Sequence, residues 1–185
     1  MRKAGGFTLL EVVVVVAVIA ILTSLAAPSF IGLFQSNAVS SNVNAFMADV
    51  RFARSEAIRR GSTVIMCRSN APETAPACDG GSGPGTNGWV SGWIIFEDRD
   101  GSGGYNAGDE VLRVQGPITN IDTMVASNTN PFEFVATGRM RTISSAKSLQ
   151  FGSNMPVTRQ RMVCVNSSGR ARIAGDGNAS CTTDQ

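Results

Sequence analysis

The sequence predicts an α+β fold in which one long N-terminal helix packs against antiparallel β-strands. Two observations lead to this prediction. Apolar residues dominate the first part of the chain and then recur at helical spacing as far as residue 60. Beyond Gly61, short runs rich in β-branched and aromatic residues alternate with Gly-, Asn- and Ser-rich turns, a pattern typical of strands. The 185 residues therefore suit one domain with an N-terminal appendage.

The segment from Phe7 to Ala27 contains 21 residues and a single charge, Glu11. As a helix it would be about 31 Å long at about 1.5 Å per residue, which matches a bilayer core of about 30 Å. Arg2 and Lys3 precede it, so the positive-inside rule predicts a cytoplasmic start and an external head. An ordinary secretory signal cleaved near Ser24-Leu25-Ala26 is the alternative. It is disfavoured because Glu11 would be a costly charge without a purpose.

The second half of the helix is predicted to be amphipathic. Pro28 should kink the helix or melt one turn locally. The apolar residues that follow at three- and four-residue intervals are Val39, Val43, Phe46, Met47, Val50, Ala57 and Ile58. Glu56 and Arg60 are spaced for an i,i+4 ion pair. Arg54 projects onto the apolar stripe, where it needs a buried partner or a polar gap, and Phe52 lies opposite, where it would face a neighbouring subunit.

The remaining chain is predicted to form a β-rich head. The candidate strands are 62–67, 89–97, 110–114, 131–136, 147–152, 160–166 and 170–174. Residues 68–88, rich in Pro, Gly and Ser, are predicted to form a long surface loop. The expected organisation is a leader over 1–6, an apolar helix over 7–28, its amphipathic continuation over 29–61 and the head over 62–185.

The four cysteines are Cys67, Cys78, Cys164 and Cys181. They have no C-x-x-C spacing and the chain has no histidine, so a zinc site is not supported. Two disulfides fit better and imply an oxidising compartment. Pairing within the two local pairs is favoured, although four cysteines allow three connectivities.

No catalytic constellation is visible, and the absence of histidine removes the commonest general base and metal ligand. We therefore expect neither an enzyme nor a bound cofactor. The run from Asp98 to Gly103 mimics part of an EF-hand loop and makes calcium candidates of four residues. These are Asp98, Asp100, Ser102 and Asp109. A plain turn is the favoured interpretation because strands flank the run and Asp replaces the bidentate Glu.

The chain starts with a short basic leader, Gly6 and the run Phe7-Thr8-Leu9-Leu10-Glu11. This start resembles the motif of the type IV prepilin family. The resemblance implies cleavage after Gly6 by a prepilin peptidase, N-methylation of Phe7, and assembly with other major and minor pilins. It also implies that Glu11 pairs with the terminal amine of a neighbouring subunit, since buried opposite charges stabilise one another only when they meet.

Two further segments narrow the resemblance. The helix end 53–61 (ARSEAIRRG) and the strand 88–96 (GWVSGWIIF) are similar to the FimT/GspH-type group of minor pilins and pseudopilins. The resemblance spans most of the chain, except residues 68–88 and 115–130. It implies a structural subunit that crosses the inner membrane once, with a periplasmic head, before it joins a pilus or pseudopilus at the cell surface.

Basic residues concentrate near the C-terminus. Residues 67–135 carry nine acids against three arginines, whereas 136–185 carry seven basic residues against two acids. Arg170 and Arg172 would share one face of a strand. Their Gly-Arg-x-Arg sequence resembles the DNA-binding tail motif of FimT-like pilins, which serve DNA uptake in natural transformation. The basic residues that would extend this surface are Arg139, Arg141, Lys147, Arg159 and Arg161.

Other interpretations of these arginines stay open, namely a solvated face or pairing with the acidic region 97–110. No aromatic residue follows Phe151, so any binding of double-stranded DNA is expected to lack sequence specificity.

The predicted function is a minor pilin that primes pilus assembly or caps the tip and captures DNA. The alternative is a GspH-like pseudopilin of a type II secretion system that contacts secreted proteins. A stand-alone periplasmic module with a simple anchor would leave Glu11 unexplained.

Overall fold

The computed structural model describes residues 6–79, 88–128, 131–141 and 146–181, with the backbone alone for 25–29. Residues 1–5, with the basic leader residues Arg2 and Lys3, lie outside the described residues, as do the second part of the predicted loop 68–88 and the last four residues. The described chain has the predicted α+β architecture, in which one long helix packs on two antiparallel sheets.

The helix α1 runs from Leu9 to Arg60. Thr8 is its N-cap, and the Thr8 hydroxyl accepts the backbone N–H of Glu11 at 3.2 Å. Gly61 ends the helix with a left-handed φ of 67° and donates its N–H to the Ala57 carbonyl at 3.0 Å. The predicted stop at Gly61 is therefore confirmed, since a glycine adopts this conformation without the steric cost of a Cβ.

Pro28 does not interrupt α1, so the locally melted turn, one of its two expected effects, does not occur. Large apolar side chains on both sides of this point are exposed, from Leu9 to Leu22 and from Phe30 to Phe34. Within the part of the chain that the structure describes, no helix is assigned as long and apolar enough to cross a membrane.

Eight strands follow the helix in the described residues. They are β1 Thr63–Arg68, β2 Trp93–Asp98, β3 Glu110–Gln115, β4 Met124–Ala126, β5 Phe132–Phe134, β6 Lys147–Phe151, β7 Arg161–Val165 and β8 Ala171–Gly175. The first sheet has the order β3-β2-β1-β5, and the second has the order β4-β6-β7-β8. All neighbouring strands are antiparallel, as predicted.

Two parts of the strand prediction were wrong. The run 89–97 is not one strand, because a 3-10 turn over Trp89–Ser91 precedes β2. Gly92 separates them with a φ of 106°, and a side chain there would collide with the Gln115 carbonyl. The strand β4 was missed, because three residues inside a stretch without a clear pattern carry too little periodicity to be recognised.

The core lies between α1 and both sheets, and Phe46 stands at its centre. The Phe46 ring is fully buried and makes edge contacts with four aromatic rings at centroid distances of 5.7–6.0 Å. Those rings belong to Trp89, Trp93, Phe132 and Phe151. Because they come from both sheets, a single helical side chain joins the two sheets to α1.

The helical stripe is confirmed for all its predicted residues except Ile58, which is 51% exposed. Phe52, predicted to lie opposite the stripe and to face a neighbouring subunit, is covered in part by the head itself. Phe52 is half-buried beneath Arg113 of β3, whose guanidinium carbon lies 3.9 Å from the ring centroid. The Arg113 Nη1 also contacts the buried carboxylate of Asp49 at 2.6 Å, which fixes it over the ring.

Two local disulfides, Cys67–Cys78 and Cys164–Cys181, brace the head. The first closes the start of the predicted loop. Arg68, at the end of β1, is buried, and its Nη1 forms an ion pair with Asp79 at 2.9 Å. Arg68 and Ser69 therefore belong to the packed head. Asn70 and most of residues 73–77 are exposed and lie outside helices and strands, as predicted for a surface loop.

Candidate functional site

The N-terminal site is built around Glu11, in the first turn of α1. The Thr8 cap leaves the Glu11 carboxylate on the helix surface, where the side chain is exposed. A shallow groove of about 250 Å³ lies beside it, lined by Phe7, Val12, Val15 and Val16. A negative charge is also favourable at a helix N-terminus, so the helix tolerates Glu11 before any partner arrives. The arrangement provides one anionic group in an otherwise apolar surface.

The C-terminal site begins with the tight turn between β7 and β8. Gly169 adopts a left-handed φ of 74° and donates its N–H to the Asn166 carbonyl at 2.9 Å. The Asn166 side-chain oxygen accepts the Arg170 N–H at 3.1 Å and the Ser168 hydroxyl at 2.7 Å. These bonds hold the turn closed and place Arg170 immediately before β8, where its side chain is exposed.

Arg172 is the second arginine of the motif and lies within β8, opposite Cys164 of β7. Its side chain is half-buried and takes part in other interactions of the chain. The two arginines of the motif therefore differ in exposure, and Arg170 is the one that an external ligand reaches directly.

A second tight turn packs against the first. It joins Val135 to Arg139, with the Gly138 N–H donated to the Val135 carbonyl at 2.7 Å. The two turns are linked because the Met140 N–H binds the Ser167 carbonyl at 3.1 Å. Arg139, predicted to extend the basic surface, is exposed on this second turn.

A cleft of about 490 Å³ lies between α1 and the β7–β8 turn. It is lined by Arg51, Arg54, Ser55, Ile58, Gly169, Arg170 and Ala171. The Arg54 Nε donates to the Gly138 carbonyl at 3.0 Å, so the second turn supplies the polar partner that the helical pattern required for Arg54. None of Arg51, Arg54 and Arg170 forms an ion pair with a carboxylate in the described chain.

Lys147 does not extend this surface. The alternation of β6 places it on the inner face with Leu149 and Phe151, where it is 7% exposed. The Lys147 Nζ donates to the Pro131 carbonyl, and burial lowers the pKa of this amine to about 8. The prediction that Lys147 contributes to an exposed basic patch was wrong for this reason.

The other basic residues are partly committed to contacts within the chain. Arg159 reaches α1, where its Nη1 donates to the Gln35 side-chain oxygen at 2.7 Å. The Arg161 Nη1 donates to two neighbouring backbone carbonyls at 2.9 and 2.7 Å. Arg141 lies 3.7 Å from the Glu133 carboxylate. These three arginines do not line the cleft beside Arg170.

The two glutamates of the β2–β3 hairpin, Glu97 and Glu110, are paired with arginines other than Arg170. Arg60, at the end of α1, contacts Glu56, Glu97 and Glu110 at 2.9, 2.8 and 3.2 Å. Arg99 contacts Glu97 and Glu110 as well. Within the described chain, the acidic region therefore stabilises the end of α1 and does not neutralise the C-terminal arginines.

The calcium candidates lie in the loop of the same hairpin. One carboxylate oxygen from each of Asp98, Asp100 and Asp109 lies within 4.8 Å of the others. These carboxylates accept backbone N–H groups of the loop at 2.9–3.2 Å. The N–H of Ser102 in particular lowers the pKa of Asp100. These bonds are what a plain turn requires, and calcium binding stays a prediction.

Arg51 was missed by the sequence reasoning. The signal was present, because Arg51 and Arg54 are three residues apart and so share one face of α1. The helical pattern marks that face but does not reveal which strand or turn packs beside it. Only the packing of the β7–β8 turn against α1 brings Arg170 to the two helical arginines.

Comparison with known proteins agrees with this architecture. The family model described as Type II transport protein GspH matches residues 42–169, and the model of the prokaryotic N-terminal methylation motif matches residues 1–27. No curated protein sequence matches the chain.

Two crystal structures of the type IV minor pilin FimU of Pseudomonas aeruginosa (strain PAO1), in space groups P21 and P65, are similar to the chain. The TM-scores are 0.53 and 0.50, at 16% and 15% sequence identity. The alignments cover 77% and 76% of this chain and 95% and 98% of the FimU chains. At this level of identity the likeness shows a shared fold. Because the GspH model covers more than half of the chain and the methylation motif precedes it, the protein belongs to the GspH family and is a minor type IV pilin or a GspH-like pseudopilin.

Proposed function

We propose that the protein is a minor pilin that primes or caps a type IV pilus and captures double-stranded DNA through Arg170. The observation that carries the DNA-binding part is electrostatic. Arg170 is exposed on a tight turn and has no carboxylate partner in the described chain. Guanidinium groups suit phosphate, and cations bind DNA by releasing its counterions, whatever the base sequence.

The N-terminus supports the assembly part of the proposal. Cleavage after Gly6 by a prepilin peptidase would make Phe7 the first residue, to be N-methylated, and Glu11 the fifth. Pairing of Glu11 with the terminal amine of a neighbouring subunit would give both charges a partner inside the filament. Before assembly, the apolar part of α1 would anchor the protein once in the inner membrane. The head would then lie in the periplasm, where disulfides form.

A pseudopilin of a type II secretion system is the second candidate. The description of the matching family favours it. In this case the head would contact secreted proteins, and the arginines around Arg170 would meet acidic groups of those proteins or of neighbouring subunits. The two candidates share the processing and assembly steps and differ in what the C-terminal surface binds.

The processing step is tested by mass spectrometry of the protein purified from its own cells. We expect a chain that starts at Phe7 and carries one N-terminal methyl group. A chain that starts at Ala27 would show cleavage by an ordinary signal peptidase and would reject the pilin assembly mechanism.

The DNA-binding step is tested with the full mature chain in a mild detergent. Fluorescence anisotropy with a short duplex of random sequence should show binding that weakens as salt rises. Arg170→Gln should bind less tightly. Arg99→Gln, which removes the same charge from the β2–β3 hairpin, serves as the matched control. Equal affinity of the Arg170 variant and the wild type would reject DNA capture at this site.

Loss of protein secretion with normal piliation in a deletion strain would favour the pseudopilin.

A further inference from the structure

We propose that the cleft between α1 and the β7–β8 turn binds the phosphodiester backbone, with Arg51 and Arg54 contacting phosphates next to the one that Arg170 contacts. This inference rests on the proposed DNA-binding function. It deepens that function by naming the ligand group and two helical residues that the C-terminal motif does not contain.

The first argument is that three arginines from two elements line one cleft. Arg51 and Arg54 lie on one face of α1, and Arg170 is brought to them by the turn that Gly169 permits. Three like charges that line one cleft repel one another, and none of the three forms an ion pair with a carboxylate of the described chain. An anionic ligand with more than one charge relieves this repulsion.

The second argument is that Arg54 is already held in place. The bond from its Nε to the Gly138 carbonyl fixes the plane of the guanidinium group, and its two Nη groups have no hydrogen-bond partner in the described residues. Arg54 is half-buried, so its charge is less hydrated than that of an exposed arginine. Because the Nε bond already restrains the side chain, little conformational entropy is lost when the Nη groups bind an anion.

The third argument concerns the kind of anion. The cleft is about 490 Å³ in volume, which admits a short stretch of one sugar-phosphate strand and excludes a whole duplex. Its remaining walls are small or aliphatic, from Ser55, Ile58 and Ala171, and none of its lining residues is aromatic. A base would find no ring to stack on. The cleft therefore fits the backbone of one strand of a duplex that lies across the turn.

The test compares four forms of the full mature chain in detergent, namely the wild type, Arg51→Gln, Arg170→Gln and the control Arg99→Gln. The melting temperature of each form is measured first. Arg51 is exposed and makes no described side-chain hydrogen bond, so its substitution leaves the fold intact. Anisotropy titrations with a short duplex across a range of salt then give the Kd and the salt slope.

The expected result follows from counterion release. One lost phosphate contact makes the negative slope of log K against log salt shallower by about 0.9, and it weakens binding about eightfold at about 0.1 M salt. We expect this change for Arg51→Gln and for Arg170→Gln, and none for Arg99→Gln.

Each other outcome decides against the cleft in a distinguishable way. If Arg170→Gln weakens binding and Arg51→Gln behaves like Arg99→Gln, DNA capture stands and the cleft is rejected. If the wild type does not bind the duplex, the proposed function and the cleft both fail. If Arg51→Gln binds DNA normally and, when expressed in the native cells, fails to enter filaments, phosphate binding in the cleft is rejected in favour of contact with a carboxylate of a neighbouring subunit.

Discussion

Replacing Gly169 with alanine should destabilise the protein through two costs that the structure separates. Gly169 has a φ of 74°, in the left-handed region, where an L-residue with a Cβ costs about 1–2 kcal/mol. A Cβ at this position would also lie closer to the Gly138 carbonyl oxygen than the 3.0 Å limit that real Cβ atoms observe. The two turns would then have to move apart, and their link to Arg54 would weaken.

Gly101→Ala isolates the first cost. Gly101 has nearly the same φ, 76°, but no atom lies within 4 Å of the position that its Cβ would take. The overpacking at Gly169 adds about 1–3 kcal/mol to the conformational cost shared by both sites. For a chain of this length, 1 kcal/mol corresponds to about 2–4 °C. Gly169→Ala should therefore melt about 2–12 °C below Gly101→Ala.

Thermal unfolding of both variants in the same detergent, followed by circular dichroism, measures this difference. DNA affinity provides a second readout, since the turn that Gly169 closes also carries Arg170. We expect weaker binding for Gly169→Ala and wild-type binding for Gly101→Ala. Equal melting temperatures for the two variants would refute the reasoning, because they would show that the turns separate without cost.

Two other predictions concern the core and the buried lysine. Phe46→Ala should lower the free energy of unfolding by about 3–5 kcal/mol. Phe34→Ala, at a side chain that is 70% exposed, should change the free energy of unfolding by less than about 0.5 kcal/mol. Similar urea midpoints for the two variants would contradict the central role of Phe46. Burial lowers the pKa of Lys147 from its usual 10.5 to about 8, so between these pH values the unfolded chain binds more protons than the folded one. The free energy of unfolding of the wild type should therefore rise relative to that of Lys147→Met as the pH increases from about 8 to 10.5. Parallel plots of this free energy against pH for the two forms would show that the lysine does not titrate as described.

Much of the head could be predicted because strand signals are local. The runs that became β1, β3, β6, β7 and β8 alternate or carry β-branched residues over five or six positions, which is enough to be recognised. Gly92 carried a turn signal inside a run that otherwise resembles one strand, and the apolar residues around it outweighed that signal. Lys147 was misplaced for a related reason, since alternation fixes two faces of a strand without saying which one is covered.

The sequence by itself determined the features that depend on neighbours along the chain. These are the position of Glu11 near the start of the helix, the end of α1 at Gly61 and the period of the buried stripe. Hydrogen bonds within one helical turn and side-chain periodicity need only local residue types. The resemblance of the chain start to the prepilin motif also rests on neighbouring residues alone, so it indicates a pilin-like subunit before any tertiary contact is known.

Only the tertiary structure decided what surrounds the C-terminal arginines. Arg51 and Arg170 are more than a hundred residues apart in the sequence, and they meet because the β7–β8 turn packs on α1 beside the Gly138 turn. Tertiary contacts also bury Lys147 against Pro131 and Phe132 and pair Glu97 and Glu110 of the β2–β3 hairpin with Arg60. Such contacts depend on which elements share a core, and residue types along the chain do not specify that pairing.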